Sequence, residues 1–450
     1  VKACIRQMTT GPGKPTDAPR FIYDIDDRPP LKFVLLYGLQ WSIIHFPALI
    51  IVAVLSSSVL DVGLNEEARL LQLILLATGL FTAVQSLWGH RYPLLEGPST
   101  ALLLTYLLLA PLGIEAVQGG TIIGGVLLIC LVMSRKLKNV AAFATPNVVG
   151  VILLLIAFSL LPFLARLMSG IGSDSPQGDV SVFLFSVLLV LVMAGISSRA
   201  SGVVKTLALL IGMAFGTLVL FLIRSPGLKH LAGAAWISLP DRPFASVPEF
   251  YWPAMLAFAL SYVAVLVNSL GSLHGIAGVT DRERLPSATS RGIFFNGVAG
   301  ILCGCLGIVG MVSYSISPGV VLANRVASRY ATACCGVILV VAAFVPKLSA
   351  LLALIPPPVV GAALCVAMGT QVGAAVGIIA SKGMKGRDYF VVGLPVLLGT
   401  LVGFLPDTFM DSLPVGARVF LRNGLIFGIL LVLLLEHVLM REKRTKKGDL

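Results

Sequence analysis

Three observations predict an all-α membrane protein that crosses the bilayer many times. Of the 450 residues, 57% are hydrophobic and only 12% charged. Apolar runs of about 20 residues, the length of a bilayer-spanning helix, recur from about Leu31 to Met440 with short polar breaks. Basic and acidic breaks alternate, as cytoplasmic and outer loops do. A soluble chain of this length would divide into domains with charged surfaces. Residues 31–440 therefore read as one membrane domain, between a Pro/Gly-rich, poorly ordered tail (1–30) and a basic tail (441–450). The first tail has no apolar stretch followed by a cleavage site, so it does not read as a signal peptide.

Apolar stretches bounded by Gly, Pro or charge fall near 31–58, 68–88, 92–110, 116–133, 146–168, 180–197 and 201–223. A second set falls near 252–274, 291–310, 312–327, 329–345, 356–380, 389–405 and 419–440. Fourteen spans put Arg135 and Lys136, Arg282 and Arg284, and Lys385 and Arg387 on the side of both termini. They put Glu66, Glu67, Glu115, Asp407 and Asp411 on the other, with Arg166 and Lys347 as exceptions. The positive-inside rule then makes both termini cytoplasmic. The reading is an integral, multi-pass protein of the bacterial inner (plasma) membrane.

Seven spans per half make the second half enter the membrane in the opposite sense. A duplicated unit is then an inverted repeat. Pro146-Asn-Val-Val-Gly-Val-Ile-Leu153 and Pro357-Pro-Val-Val-Gly-Ala-Ala-Leu364 open corresponding spans and match at Pro, Val, Val, Gly and Leu. The corresponding third and tenth spans are both interrupted, by Glu96-Gly-Pro-Ser-Thr100 and by Tyr314-Ser-Ile-Ser-Pro-Gly319. Paired interruptions of this kind point to a transporter's binding site at the midplane. Pro98 and Pro318 favour first helical turns, so short extended segments should precede two half-helices whose unpaired N–H groups converge.

The net charge of +12 lies in loops and tails, not on a surface interleaved with aromatics, and so excludes a nucleic-acid partner. The seven Cys lie mostly in apolar runs without His at ligand spacing, so no metal or other cofactor is expected. Paired acids, HExxH and a nucleophile elbow are lacking, and an enzyme is not expected. Glu96 is the acid placed deepest in a span and is a coupling candidate, with H+ or Na+ as the ion. Its alternative is a pairing with His90 or Arg91. Asn268 and Ser272 share one face of the eighth span and could read a neutral polar ligand; interhelical hydrogen bonding is the other reading. Gln40 and Asn296, the latter also a coupling candidate, read equally as site residues or packing amides, and Trp41 and Tyr314 could stack on a planar ligand, although a lone aromatic in a span is usually packing. His45 precedes Pro47 and is expected to capture a carbonyl freed by that kink, and Gln371 is expected to be structural.

The interrupted third and tenth spans and the segment Tyr314 to Tyr330 resemble the nucleobase–ascorbate transporter family, the uracil and xanthine permeases. Gly38-Leu-Gln-Trp41, Gly97-Pro-Ser-Thr100, Pro146-Asn-Val-Val-Gly150 and Ser290-Arg-Gly-Ile-Phe-Phe-Asn-Gly297 add to the resemblance. It implies a homodimer with a substrate-carrying core of spans 1–4 and 8–11, about 31–134 and 252–345. The gate would be spans 5–7 and 12–14, about 146–224 and 356–440. It also marks departures: the family's tenth-span Gln or Glu and Asn correspond to Ile316 and Ser317. Its eighth-span Glu and His correspond to Asn268 and Ser272, its ninth-span Asp to Asn296, and its first-span His to Trp41. The expected function is alternating-access transport of a nucleobase such as uracil or xanthine. The substrate would be held by Asn268, Ser272, Ser99, Thr100, Gln40, Trp41, Tyr314 and the backbone from Ser315 through Ile316 and Ser317 to Gly319. Alternatives are an anion carrier of the sulfate or bicarbonate type on the same fold, and a membrane scaffold that no longer transports.

Overall fold

The computed structural model describes residues 21–441 except 61, 138–139, 141–142, 172–176, 225–228, 242–245, 382, 415–417, 419–420 and 422. Most of both predicted tails, 1–20 and 442–450, lies outside the described residues. The first half contains α1 (Leu31–Leu60), α2 (Leu64–Leu87), the strand β1 (Glu96–Pro98), α3 (Thr100–Leu109) and α4 (Ile114–Met133). It continues with α5 (Pro146–Ser159), α6 (Leu161–Met168), α7 (Val180–Arg199) and α8 (Ala208–Arg224). The second half contains α9 (Trp252–Val279), α10 (Leu285–Leu306), the strand β2 (Met311–Ser313), α11 (Ser317–Asn324) and α12 (Arg329–Ala343). It ends with α13 (Pro346–Ala353), α14 (Pro357–Ala380), α15 (Gly386–Val402) and α16 (Gly424–Leu434).

Every predicted apolar stretch overlaps one of these helices. Among the described residues, eight helical stretches are long and apolar enough to cross a membrane, α5 and α6 counting together as one of 23 residues. A ninth crossing is α12 with α13, if that pair, bent by 89°, is one span. The chain is an integral, multi-pass membrane protein. α3 has 10 residues and α11 has 8. At 1.5 Å per residue neither alone reaches across a hydrocarbon core of about 30 Å.

The helices pack in two groups. α2 lies along α12, α4 along α10 and α9, and α1 along α12. In the other group α14 packs on α5 and α7, and α15 on α16. Lipid gives apolar helices no hydrophobic reason to associate, so close backbone approach takes over. A Cβ on Gly79 would lie 2.6 Å from the Gly336 carbonyl oxygen, and one on Gly336 2.5 Å from that of Gly79. Gly125 and Gly297 meet the same way at 2.5 and 2.7 Å. Thus α2 meets α12, and α4 meets α10, backbone to backbone. Between the groups, Asn423 Nδ2 donates to Thr105 Oγ1 at 3.1 Å, and Thr105 shares a 2.5 Å hydrogen bond with Ser261 of α9.

Residues 21–30, placed by composition in a loose tail, are docked on the second half. Residues 21–30 form a strap along the turn after α11. Ile22 N donates to Arg325 O, Ala327 N to Tyr23 O and Arg329 N to Ile25 O. Asp26 bridges Arg284 and Arg329, each at 2.8 Å. The hydrogen bond from Arg284 holds the Asp26 carboxyl below the usual carboxylate range. Asp281 is also held low: burial pushes it up, but its hydrogen bond with Arg284 and backbone donors outweigh this.

Candidate ligand-binding site

β1 and β2 are the extended pieces of the two interrupted spans, and they pair. Their antiparallel register is Glu96↔Ser313, Gly97↔Val312 and Pro98↔Met311. Ser99 N donates to Gly310 O and Tyr314 N to Leu95 O, each at 2.8 Å, extending the ladder at both ends. Backbone at membrane depth must satisfy itself or line a cavity, and each broken span supplies what the other lacks. Pro98 is the last residue of β1 rather than the first of a helix. Its missing N–H is tolerated because a two-stranded ribbon has only edges. Ser99 then caps α3, its Oγ accepting from Leu102 N at 3.4 Å.

Successive side chains of a strand point to opposite faces. On the Glu96 face, Glu96 Oε1 accepts from Ser313 Oγ at 2.6 Å and lies 3.2 Å from His90 Nε2. Glu96 and His90 are both fully buried, and Glu96 Oε2 has no partner. Thr82 Oγ1 accepts from Glu96 N and donates to Glu96 O, each at 3.2 Å. His90 N donates to Gln85 Oε1, and Gln85 Nε2 donates to Asn296 Oδ1 at 2.7 Å. Asn296 Nδ2 donates to Ser269 Oγ at 2.8 Å. The Asn296 amide is thus spent on a buried network behind the ribbon.

The Gly97 face is different. A Cβ on Gly97 would lie 2.6 Å from both His45 Nε2 and Tyr314 Cζ, so only glycine lets the ribbon approach α1 this closely. The His45 and Tyr314 rings meet edge to face at 5.1 Å, and Tyr314 Oη donates to Pro98 O at 3.0 Å. His45 is 1% exposed, and neither ring nitrogen has a hydrogen-bond partner. The expected capture of a carbonyl at the Pro47 kink does not occur; α1 runs helical through Pro47.

The remaining candidates divide. Ser272 Oγ donates to Ser313 O at 2.7 Å and to Asn268 O at 3.0 Å, tying α9 to β2. Asn268 is half-buried. Ser317 Oγ accepts from Leu95 N at 3.1 Å. Ser315, Ile316 and Gly319 are exposed beside the ribbon, and Thr100 is half-buried at the start of α3. Gln40 Nε2 donates to Asn324 Oδ1 at the far end of α11, and Trp41 is buried in the apolar core. Gln371 Nε2 donates to Leu153 O and joins α14 to α5. The expectation of two converging sets of free N–H groups needs correction. α11 uses its first turn internally, Ser317 N on Tyr314 O and Gly319 N on Ile316 O, while Pro318 has no N–H. Of these two half-helices, α3 starts at Thr100 and Ala101 with N–H groups that have no intrahelical acceptor. The sequence signal for an unpartnered His45 is a titratable side chain within an apolar span; the neighbouring Pro47 supplies no carbonyl for it.

Residues 32–408 match the family model Xan_ur_permease, described as the Permease family. A putative purine permease of Clostridium perfringens, CPE0397, is 25% identical over 423 residues, covering 93% of each chain. The uric acid permease PucK of Bacillus subtilis is 24% identical, covering 93% of this chain and 97% of its own. The xanthine permease XanQ of Escherichia coli is 21% identical, with 93% of both chains covered. Among solved structures, the transmembrane domain of the cyanobacterial bicarbonate transporter BicA superposes with a TM-score of 0.53 at 13% identity. That match covers 90% of this chain and 97% of BicA's. SLC26A9 superposes with a TM-score of 0.56 at 14% identity, over 89% of this chain and 64% of its own. These likenesses show a shared fold and nothing about the ligand. The match over most of its length, together with the interrupted spans that carry the motifs, places this chain in the xanthine and uracil Permease family, the nucleobase–ascorbate transporters.

Proposed function

We propose that the chain is a permease for a purine-type nucleobase such as xanthine or uric acid, working by alternating access. The group α1–α4 with α9–α12 carries the ribbon, and the group α5–α8 with α14–α16 forms the gate. The observation that carries the reading is His45. A buried imidazole packed against Gly97 and Tyr314, neither of its nitrogens hydrogen-bonded, offers one donor and one acceptor. A purine ring edge carries the complementary pair, and an aromatic wall suits its flat face. Asn268, Ser315 and the N–H groups of Thr100 and Ala101 provide further polar contacts.

The relatives named as purine, uric acid and xanthine permeases support a heterocycle. An anion of the bicarbonate type fits less well, because Glu96 lies in the ribbon and α11 keeps its first N–H groups for itself. Fourteen spans as a seven-plus-seven inverted repeat are part of the proposal. The packing supports it: exchanging the halves turns the α2–α12 crossing into α10–α4, and the α1–α12 contact into α9–α4. Cytoplasmic termini, an inner-membrane location and a homodimer through the gate are proposed with it.

The test is counterflow in proteoliposomes with labelled xanthine, uric acid, uracil, sulfate and bicarbonate. Saturable exchange of a purine, blocked by the unlabelled purine, is expected. Sulfate or bicarbonate flux without competition by any heterocycle contradicts the proposal. A lack of saturable flux with every compound favours the scaffold reading.

A further inference from the structure

We infer that Glu96, with His90 and Ser313, forms a proton-binding site on the back of the ribbon, and that a proton bound at Glu96 Oε2 accompanies the substrate. The inference rests on the transport reading above and names its driving ion and where that ion binds.

The hydrogen bonds decide where a proton can go. His90 Nδ1 accepts from Tyr92 N at 3.0 Å, so the proton of the neutral ring is assigned to Nε2, which donates to Glu96 Oε1. A second proton on the imidazole would have to displace the Tyr92 bond. Oε1 already accepts from His90 and Ser313. Glu96 Oε2, buried and without a partner, is the open position. A metal cation is disfavoured, since the His90 N–H is aimed at the carboxylate and takes one of its lone pairs.

Among the described residues no Lys or Arg pairs with Glu96: Arg329 is spent on the Ser86 and Leu87 carbonyls and on Asp26, and Arg284 on Asp26 and Asp281. The titratable groups near the carboxyl are His90 and Tyr92 in the loop, Tyr314 after β2 and His45 of α1. α2 presents Thr82 and Gln85, and α9 presents Ser272. A carboxylate carried through the membrane without a counter-charge is costly; a neutral carboxyl removes that charge before the ribbon moves. The strands connect the two events. A ligand bearing on Gly97 and Tyr314 bears on the residues adjoining Glu96 and Ser313, which face each other in the ladder. Linkage between such sites is reciprocal: the proton tightens the substrate and the substrate tightens the proton. The proton enters from water, bonds to Oε2 and returns to water on the other side, with no other group oxidised or reduced.

Two readouts test this. In proteoliposomes under an imposed pH gradient, the wild type should accumulate labelled xanthine, whereas Glu96→Gln should exchange it without accumulation. Wild-type affinity should fall by up to about tenfold per pH unit above the titration, with no such slope in Glu96→Gln. Ser313→Ala, which removes a donor to the carboxylate, should keep the slope and move its midpoint to higher pH. Accumulation that survives in Glu96→Gln overturns the proton site. Protonation is also read without any substrate, as a carboxyl C=O band in infrared difference spectra on titration. A band present in wild type and missing in Glu96→Gln supports the site, and identical spectra overturn it. If no purine exchanges in the wild type, the function reading fails while the spectra still decide this one.

Discussion

The two faces of the β1–β2 ribbon lie one residue apart in sequence and differ in almost every other respect. On one, Glu96 is surrounded by Ser313, Thr82 and His90, and a single oxygen is left unpaired. On the other, Gly97 lets His45 and Tyr314 pack directly against the strand, and His45 has no hydrogen-bond partner. Both faces are buried, so burial does not separate them; satisfaction does. Buried polar groups are ordinarily paired, and an unpaired one needs an explanation. On the proposed reading, the unpaired Glu96 oxygen takes a proton and the unpaired imidazole takes a ligand with a donor and an acceptor. The alternation of a three-residue strand then puts the proposed proton site and the proposed ligand site on opposite faces, one residue apart.

The comparison breaks most severely at Gly97. Gly97→Ala puts a methyl group 2.6 Å from His45 Nε2 and Tyr314 Cζ, a clash of a kind that costs about 1–3 kcal/mol. Substrate exchange should fall by at least about tenfold, the rate equivalent of 1.4 kcal/mol, while the protein still reaches the membrane. Wild-type exchange in Gly97→Ala would mean the slot is not where the ligand binds.

His45→Phe separates binding from stability. Removing two unpaired buried nitrogens should leave the thermal midpoint in detergent unchanged or higher, since an unpaired polar group costs about 1–3 kcal/mol. Purine affinity should drop by about ten- to a hundredfold, the usual result of losing a buried hydrogen bond to a ligand. A lower midpoint with intact affinity reverses the assignment and makes His45 structural.

Asn296→Ala is expected to act through stability alone. It takes one of two acceptors from Gln85, which keeps Gly292 O, and the donor from Ser269, at about 1–3 kcal/mol, and should lower the thermal midpoint without altering the pH dependence of transport. A changed pH dependence would extend the proton site to α10.

The smallest effect concerns the strap at 21–30. Asp26 and Asp281 have carboxyls held below their ordinary values by Arg284. Their stabilisation is therefore present above the ordinary Asp pKa near 4 and is lost as pH falls through the lowered values. Protection of the Ile22, Ala327 and Arg329 backbone amides against hydrogen exchange, relative to their intrinsic rates, should fall below about pH 4, and Asp26→Asn should lower it already at neutral pH. Exchange that ignores both changes would mean the backbone bonds alone hold the strap.

What could be read before the structure followed from composition and punctuation. Apolar runs locate helices because the bilayer dictates their length, and Pro98, Pro318 and the small polar residues beside them locate the breaks. The burial of Glu96 was readable for the same reason. The pairing of β1 with β2 was not: three residues have no usable period, and Glu96 meets Ser313 across 217 positions. The free N–H groups expected at α11 vanish because short turns around Ser317 and Gly319 consume them, a detail below the resolution of a Gly-Pro signal. Asn296 reads as a site amide until Gln85, on another helix, claims it. The strap at 21–30 was hidden by its polar, Pro-rich composition, which matches a loose tail as well as a docked one.

The central claim is that the ligand occupies the Gly97 face. A structure determined with saturating xanthine tests it most directly. The account predicts ligand density against Tyr314, with a ring nitrogen or carbonyl oxygen within hydrogen-bond distance of a His45 ring nitrogen and Glu96 on the far side of the strands. Density elsewhere, with His45 still unpartnered, would contradict it.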